Sequence, residues 1–503
     1  MLKILTEATD PNCSGLRRRD FLRVGGLGLG GLALPTWLSP AARANPGRTY
    51  QKDKSVILLF LSGGPSQFET FDPKPEGPGT STSIAGHIPT AIPGVRFASY
   101  LPQLADLADR LTIVRSFQTN HAEHSGAAKQ LLTADLTVQD GKPIVEPGLG
   151  SVYARAAGAI HPTTGMPRHA LIPPTTRHVE KSVGFAGSYE AVTEGLQPAW
   201  LGTSFAPLTT QVALREGTER GKKKSGRQRD GEETENPFLA NLEPRVPDVE
   251  IDARLNLLAQ LDGLHRRLDA RGHMASLDGY REQAVELLRG GVVREALDLT
   301  RENPRTLAAY DTEHFRNYRC DERSKFERSG PSIGISLGRQ LLLARRLCEA
   351  GAGFVTVIHS NWDFHARKNI PNIPEGMSVL APPLDHAVAA FLADIRQRGL
   401  EDKILLVITG EFGRTPGLDE NLGRHHWPGL CPLVFAGGGF DHGRVIGQSD
   451  RRGGEPADNL FNIADLHATV LQALFDGGQM RLDAALPAKI QQRAAGGRNI
   501  LAS

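Results

Sequence analysis

Three uninterrupted apolar runs constrain this chain more than any other feature. They are SVILLFL at residues 55–61, GFVTVI at 353–358 and KILLVIT at 403–409. Each is short, rich in branched aliphatic residues and stopped by a polar or glycine-containing loop, as expected of strands buried on both faces. Residues 111–114, 168–172 and 432–436 read as further short strands. Segments 125–132, 335–349, 384–398 and 465–475 read as helices, and the second of these stops just before Gly351, a C-cap signal. Strands alternating with helices predict an α/β fold, a mostly parallel sheet with helices on both faces.

One segment does not fit this alternation. Residues 215–235 are dominated by Lys, Arg, Glu, Gly and Gln and cannot build a core. Residues 255–294 are amphipathic and helical in pattern. A charged loop and a mainly helical insertion are therefore expected at about 210–330.

The N-terminus has its own pattern. Arg17-Arg18-Arg19 precede Asp20-Phe21-Leu22, a glycine-diluted apolar stretch runs from 24 to 38, and Ala42-Arg43-Ala44 offers a small-residue cleavage site. Residues 1–44 read as a twin-arginine signal peptide, with a mature domain at 45–503. The twin-arginine translocation machinery is then a partner, and the location is periplasmic or secreted. A retained membrane anchor is the competing reading, and the apolar run is short for a span. No later stretch reads as long and apolar enough to cross a bilayer, so no stable membrane span is expected after cleavage. A formal charge of +2 gives no electrostatic case for nucleic acid. After loss of Cys13, the remaining Cys320, Cys348 and Cys431 do not make a disulfide framework.

In an open α/β sheet, ligands bind beyond the carboxyl ends of the strands. There the sequence gathers polar residues: Ser66, Glu69, Asp72 and Lys74 after the first run, then Arg115, His121, Glu123, His124 and Ser125 after LTIV. His359, Asp363 and His365 follow GFVTVI; Glu411 and Arg414 follow KILLVIT, with Arg424, His425 and His426 soon after. Imidazole with carboxylate is a ligand set for a divalent metal ion: zinc, manganese, calcium or iron. Asp363 and His365, two apart, share a face if the segment is extended. A hydrogen-bonded polar cleft without metal is the plainer alternative. The helix starting near Ser125 offers free N–H groups to an anion, and Arg115, Lys129 and Arg414 could add to it. Gly63-Gly64 permits a sharp turn and a close backbone approach. Ser66 and Ser125 read as helix caps more readily than as nucleophiles.

LFLSGGPSQFETFDPKP, HSNWDFH, GEFGRTP with GRHHWP, and DLHATVLQALF, together with the twin-arginine start, resemble the secreted bacterial proteins grouped as domain of unknown function 1501. The resemblance covers nearly the whole mature chain. It implies an alkaline phosphatase-like fold of the phosphatase and sulfatase superfamily and a metal-dependent centre. By that resemblance Glu411 stands at an aspartate ligand position and Phe412 replaces a second ligand. Asp363 and His365 resemble a metal pair, and His425 or His426 a late histidine ligand. HSGAAKQLLT, at 124–133, resembles the sulfatase nucleophile segment with His124 at the nucleophile position. Gly63-Gly64 replaces the metal-binding Asp expected after the first strand.

The expectation is an exported metal-dependent hydrolase of phosphate or sulfate esters, its substrate a small anionic ester or a sulfated or phosphorylated glycan. Asp363, His365, Glu411 and His425 or His426 would hold metal, with His124, Ser125 and Arg414 catalytic. The alternative is a non-catalytic ligand-binding or scaffold protein that retains the hydrolase fold.

Overall fold

The computed structural model describes residues 49–175, 185–212, 291–317, 334–366 and 370–503, with the single positions 250 and 253. The signal segment and the charged loop lie outside these residues. Of the amphipathic 255–294 segment, the end is described, as part of the helix Gly291–Leu297.

The apolar runs form the middle of an eight-stranded sheet, ordered β12-β4-β11-β8-β1-β7-β5-β6. The strands are β1 (Ser55–Leu61), β4 (Leu111–Val114), β5 (His169–Ile172), β6 (Leu208–Thr209), β7 (Phe354–His359), β8 (Ile404–Thr409), β11 (Leu433–Gly437) and β12 (Arg444–Ile446). Two short ribbons, β2 (His87–Pro89) with β3 (Arg96–Ala98) and β9 (Gly413–Arg414) with β10 (His426–Trp427), lie outside it. β1 pairs in parallel with β7 and β8. β11 is antiparallel to both its neighbours, β8 and β4. All the other strands run one way, so the sheet is mostly parallel, as the sequence pattern predicts.

Alternate residues of β1 enter opposite cores, as a pleated strand requires. Ile57, Leu59 and Leu61 join helices α4 (Leu337–Glu349) and α5 (Ile373–Gln397). Val56, Leu58 and Phe60 join α1 (His124–Thr133), α2 (Leu149–Ala157), α3 (Phe185–Gly195) and α6 (Ile463–Leu474). A strand apolar at every position is thus covered on both sides.

Helix α5 corrects two readings. It starts at Ile373, capped reciprocally by Asn372 and Glu375, and continues through Pro382 and Pro383. A proline pair removes two helical donors and reads as a break, yet packing on the sheet carries the helix through it. At this full length α5 is apolar and long enough to cross a bilayer, which the shorter reading concealed; most of its apolar stretch is buried inside the protein.

At the amino edge of the sheet, where α4 ends before β7 and α5 before β8, charge is gathered and paired. Arg345, 1% exposed, donates to Asp394 (3.0 Å), Glu302 (2.6 Å) and Glu349 (2.5 Å). Arg346 and Arg398 also reach Glu302, Arg398 reaches Asp394, and the Tyr310 hydroxyl donates to Asp394. Since Glu302 and Tyr310 belong to residues 291–317, this network fastens that segment to α4 and α5.

Candidate metal centre

The opposite, carboxyl edge receives the loops after β1, β4, β7 and β8. The turn after β1 has its glycines at φ 114° and 80°, a region costly for other residues. A Cβ on Gly63 would lie 2.6 Å from the Trp362 nitrogen, and one on Gly64 2.3 Å from the Phe412 ring. The close approach expected here is therefore to the neighbouring loops. The Gly63 N–H donates to Glu411 Oε1 (2.8 Å), and the Gly63 and Gly64 carbonyls accept from Arg414.

Asp363 is the hub. His365 Nε2 lies 3.1 Å and His124 Nε2 3.5 Å from its Oδ2. His426 Nε2 lies 3.3 Å and Arg414 2.7 Å from its Oδ1. His124 opens α1 and His426 sits on β10, which pairs with β9 so that His426 faces Arg414. One ligand atom each from His124, Asp363 and His426 falls within 4.8 Å of the others. Phe412, fully buried, stacks on His426 (centroids 4.6 Å apart) and lies 5.1 Å from the His124 ring. Asp363, His124 and His426 are 21–23% exposed, so the centre opens to solvent.

The far nitrogens of two rings are tied outward. His124 Nδ1 lies 2.8 Å from Glu411 Oε1, and His426 Nδ1 2.7 Å from the Ala122 carbonyl. Both partners are acceptors, so each Nδ1 carries a proton and each ring turns its Nε2 to Asp363. Two lone pairs facing a carboxylate repel unless a cation or an added proton lies between them. Histidine metal ligands are held in this way, with the distal N–H given to a carboxylate or backbone carbonyl. Edges of a tetrahedral zinc site span about 3.3 Å for bonds of the usual length, close to the 3.3 and 3.5 Å separating the Nε2 atoms from Asp363. The residues present therefore fit a divalent ion.

The electrostatics agree. Burial pushes Asp363 up, but Arg414 first, then hydrogen bonds with His124, His365 and His426, hold it well below the usual carboxylate range. Burial pulls His124 down, and hydrogen bonds to Asp363 and Glu411 reverse this and raise it to about 9. A site that draws a proton so strongly is one that draws positive charge.

The expected site residues separate into groups. Asp363, His124 and His426 converge, with His365 on the far oxygen of the pair. Glu411 lies behind His124 as its orienting partner, away from the ligand position the resemblance implies; its Oε2 is buried with no partner among the described residues. His425 turns away, 43% exposed and 3.9 Å from Asp419, because adjacent residues of an extended strand face opposite ways. Ser125 occupies the first turn of α1, outside the contacts around Asp363. Arg414 is 2% exposed and donates to the carbonyls of Gly63, Gly64, Trp362 and Arg424 besides Asp363, so it clamps loops together and does not face a substrate.

The expected anion site is likewise taken up. The Gly126 N–H near the start of α1 donates to Asp140 (2.5 Å). Arg115 donates to the Phe71 and Arg96 carbonyls and pairs with Asp72, and Lys129 pairs with Glu194. Ser66 accepts from the Glu69 N–H, a local turn contact. Two contributors escaped sequence reasoning. The Ala122 carbonyl has no side-chain signal, whereas Phe412 could have been flagged as an apolar residue inside a polar loop.

The chain matches the family described as "Protein of unknown function (DUF1501)" over residues 53–481. A comparison with curated proteins finds no match. Among solved structures, the PsFucS1 sulfatase from Pseudoalteromonas sp. is 11% identical, with 84% of this chain and 68% of that one covered and a TM-score of 0.36. The phosphonate monoester hydrolase SpPMH from Silicibacter pomeroyi is 10% identical over 84% and 73%, with a TM-score of 0.35. The lipoteichoic acid synthase LtaP from Listeria monocytogenes is 9% identical over 92% and 79%, with a TM-score of 0.37. Superpositions this loose decide nothing about activity.

Proposed function

We propose, for a chain that belongs to the DUF1501 family, an exported hydrolase of phosphate or sulfate esters that works with a divalent metal. The observation that carries this reading is the outward anchoring of two imidazoles, His124 on Glu411 and His426 on Ala122, with both Nε2 atoms turned to Asp363. The twin-arginine pattern at residues 17–19 supports export to the periplasm or beyond. The motif resemblance supports ester hydrolysis.

His124, Asp363 and His426 would hold the ion. Two imidazoles to one carboxylate favour zinc or iron, and least favour calcium, which takes oxygen donors. Such an ion, when bound, polarises an ester oxygen and acidifies a coordinated water. The chain's own residues do the rest. Glu411 and the Ala122 carbonyl fix the two ring tautomers, and Phe412 sets the tilt of both rings. Arg414 holds Asp363 ionised and aimed. His365 donates from Nε2 to Asp363 Oδ2 and helps to hold the carboxylate in place.

The test is elemental analysis of the folded, exported protein beside turnover of aryl phosphate and aryl sulfate esters. Stoichiometric transition metal with turnover abolished by chelator is expected. Absence of metal from protein purified without chelator overturns the reading.

One observation favours a second reading, a ligand-binding protein without turnover. Arg115, Lys129 and Arg414 are all engaged by carboxylates or carbonyls, so none faces an ester anion. Stoichiometric metal with no hydrolysis across an ester library would establish it.

A further inference from the structure

A groove of about 770 Å³ opens beside the centre, against the segment 120–123 and the loop 136–140. Its volume lies within the range of small-molecule sites. One wall is the stretch that ends at His124: the Ala122 carbonyl anchors His426, so groove and centre share a piece of backbone.

The lining has a definite chemistry. Gln130 is 4% exposed, and its Nε2 donates to the carbonyls of Leu136 (3.2 Å) and Val138 (2.9 Å). Those two acceptors fix the amide's orientation, because a flipped group would set oxygen against oxygen. Gln130 Oε1 is left buried with no donor among the described residues, and such an acceptor calls for an O–H or N–H. The Glu123 N–H donates to His121 Nδ1 (3.0 Å), which leaves the His121 ring proton on Nε2 as a donor. Asn120 and Gln139 add groups that both give and accept, and Thr137 adds hydroxyl lone pairs. Among the described residues that line the groove there is no lysine or arginine.

Glu123 and Asp140 add carboxylates, and a lining of donors, neutral acceptors and carboxylates without fixed cations matches vicinal hydroxyls and rejects polyanions. We infer that this groove binds a neutral polyhydroxyl moiety, a sugar or polyol, which is the part of the substrate that carries the ester. The inference rests on the hydrolase reading for the word substrate, but the binding itself involves no metal.

The experiment is titration calorimetry of chelator-treated full-length mature protein with neutral methyl glycosides, neutral oligosaccharides and inositol. At least one neutral probe should bind, and its Kd should be the same with and without metal. Asn120→Ala and Gln139→Ala, both at exposed positions, should each raise that Kd about fivefold, the effect of one lost hydrogen bond. Gln130→Met should abolish binding, with circular dichroism to show that it folds. No neutral probe bound at millimolar concentration would overturn the inference, and so would tighter binding of amino sugars or sulfated oligosaccharides in the same groove. A metal-loaded, active enzyme with none of this binding would sink the groove alone; neutral-probe binding by a protein that holds no metal when purified without chelator would sink the centre alone.

Discussion

The two edges of the sheet each gather arginines and carboxylates, and they do opposite things with them. At the amino edge, Arg345, Arg346 and Arg398 meet Glu302, Glu349 and Asp394, three charges against three. At the carboxyl edge one guanidinium, Arg414, faces two carboxylates, Asp363 and Glu411, and the surplus is left to imidazoles, which take up a proton or an ion. The first arrangement is electrically closed, a fastening. The second takes positive charge that a proton or an ion can supply, and it is partly open to water, which leaves an ion something to contribute. Balance, more than the presence of charged residues, separates a structural cluster from a chemical one.

The contrast can be broken at either edge. Arg345→Ala should have the largest effect, taking the most buried cation from Glu302 and Asp394, which keep only the more exposed Arg346 and Arg398, and lowering stability by about 3 kcal/mol. Urea unfolding measures it, and the metal content of the folded fraction should not change. Asp363→Ala should remove bound metal altogether, a loss beyond the roughly 10- to 100-fold that an outer partner carries, read by elemental analysis. Glu411→Gln keeps the shape behind His124 but loses the charge, and metal affinity should fall by roughly 10- to 100-fold.

Acid sharpens the contrast. Burial pushes Glu302 up, but hydrogen bonds from Arg345 and Arg346 pull it down to about 2, from an ordinary 4.5. Its contribution to stability is thus present above about pH 4.5 and fades as pH falls toward 2. Glu302→Gln should flatten that part of the unfolding profile. The smallest effect belongs to His425→Ala, which should leave metal content unchanged, while His426→Ala should not.

The sequence made the strands legible because β1, β7 and β8 are covered on both faces and so are apolar throughout. It hid the full length of α5 because Pro382-Pro383 mimics a helix stop. Asp363 and His124 were legible as polar residues at strand ends. The choice between His425 and His426 was not, since it depends on which face of β10 meets β9. The reversal of β11 explains why a histidine that precedes a strand reaches the same edge as residues that follow strands. The role of Arg414 was misread because four of its partners are backbone carbonyls, which no side-chain pattern reports.

The sheet order bears on how the protein is made. β1 lies between β7 and β8 and pairs with nothing else in the sheet. A ribosome that has just released β1 must reach residue 354 before either neighbour exists. Until then the most apolar strand of the chain has no edge to join, and pairings this distant in sequence close slowly. The nascent protein should therefore depend on a holding chaperone, and it cannot bring His124, Asp363 and His426 together until synthesis is nearly over.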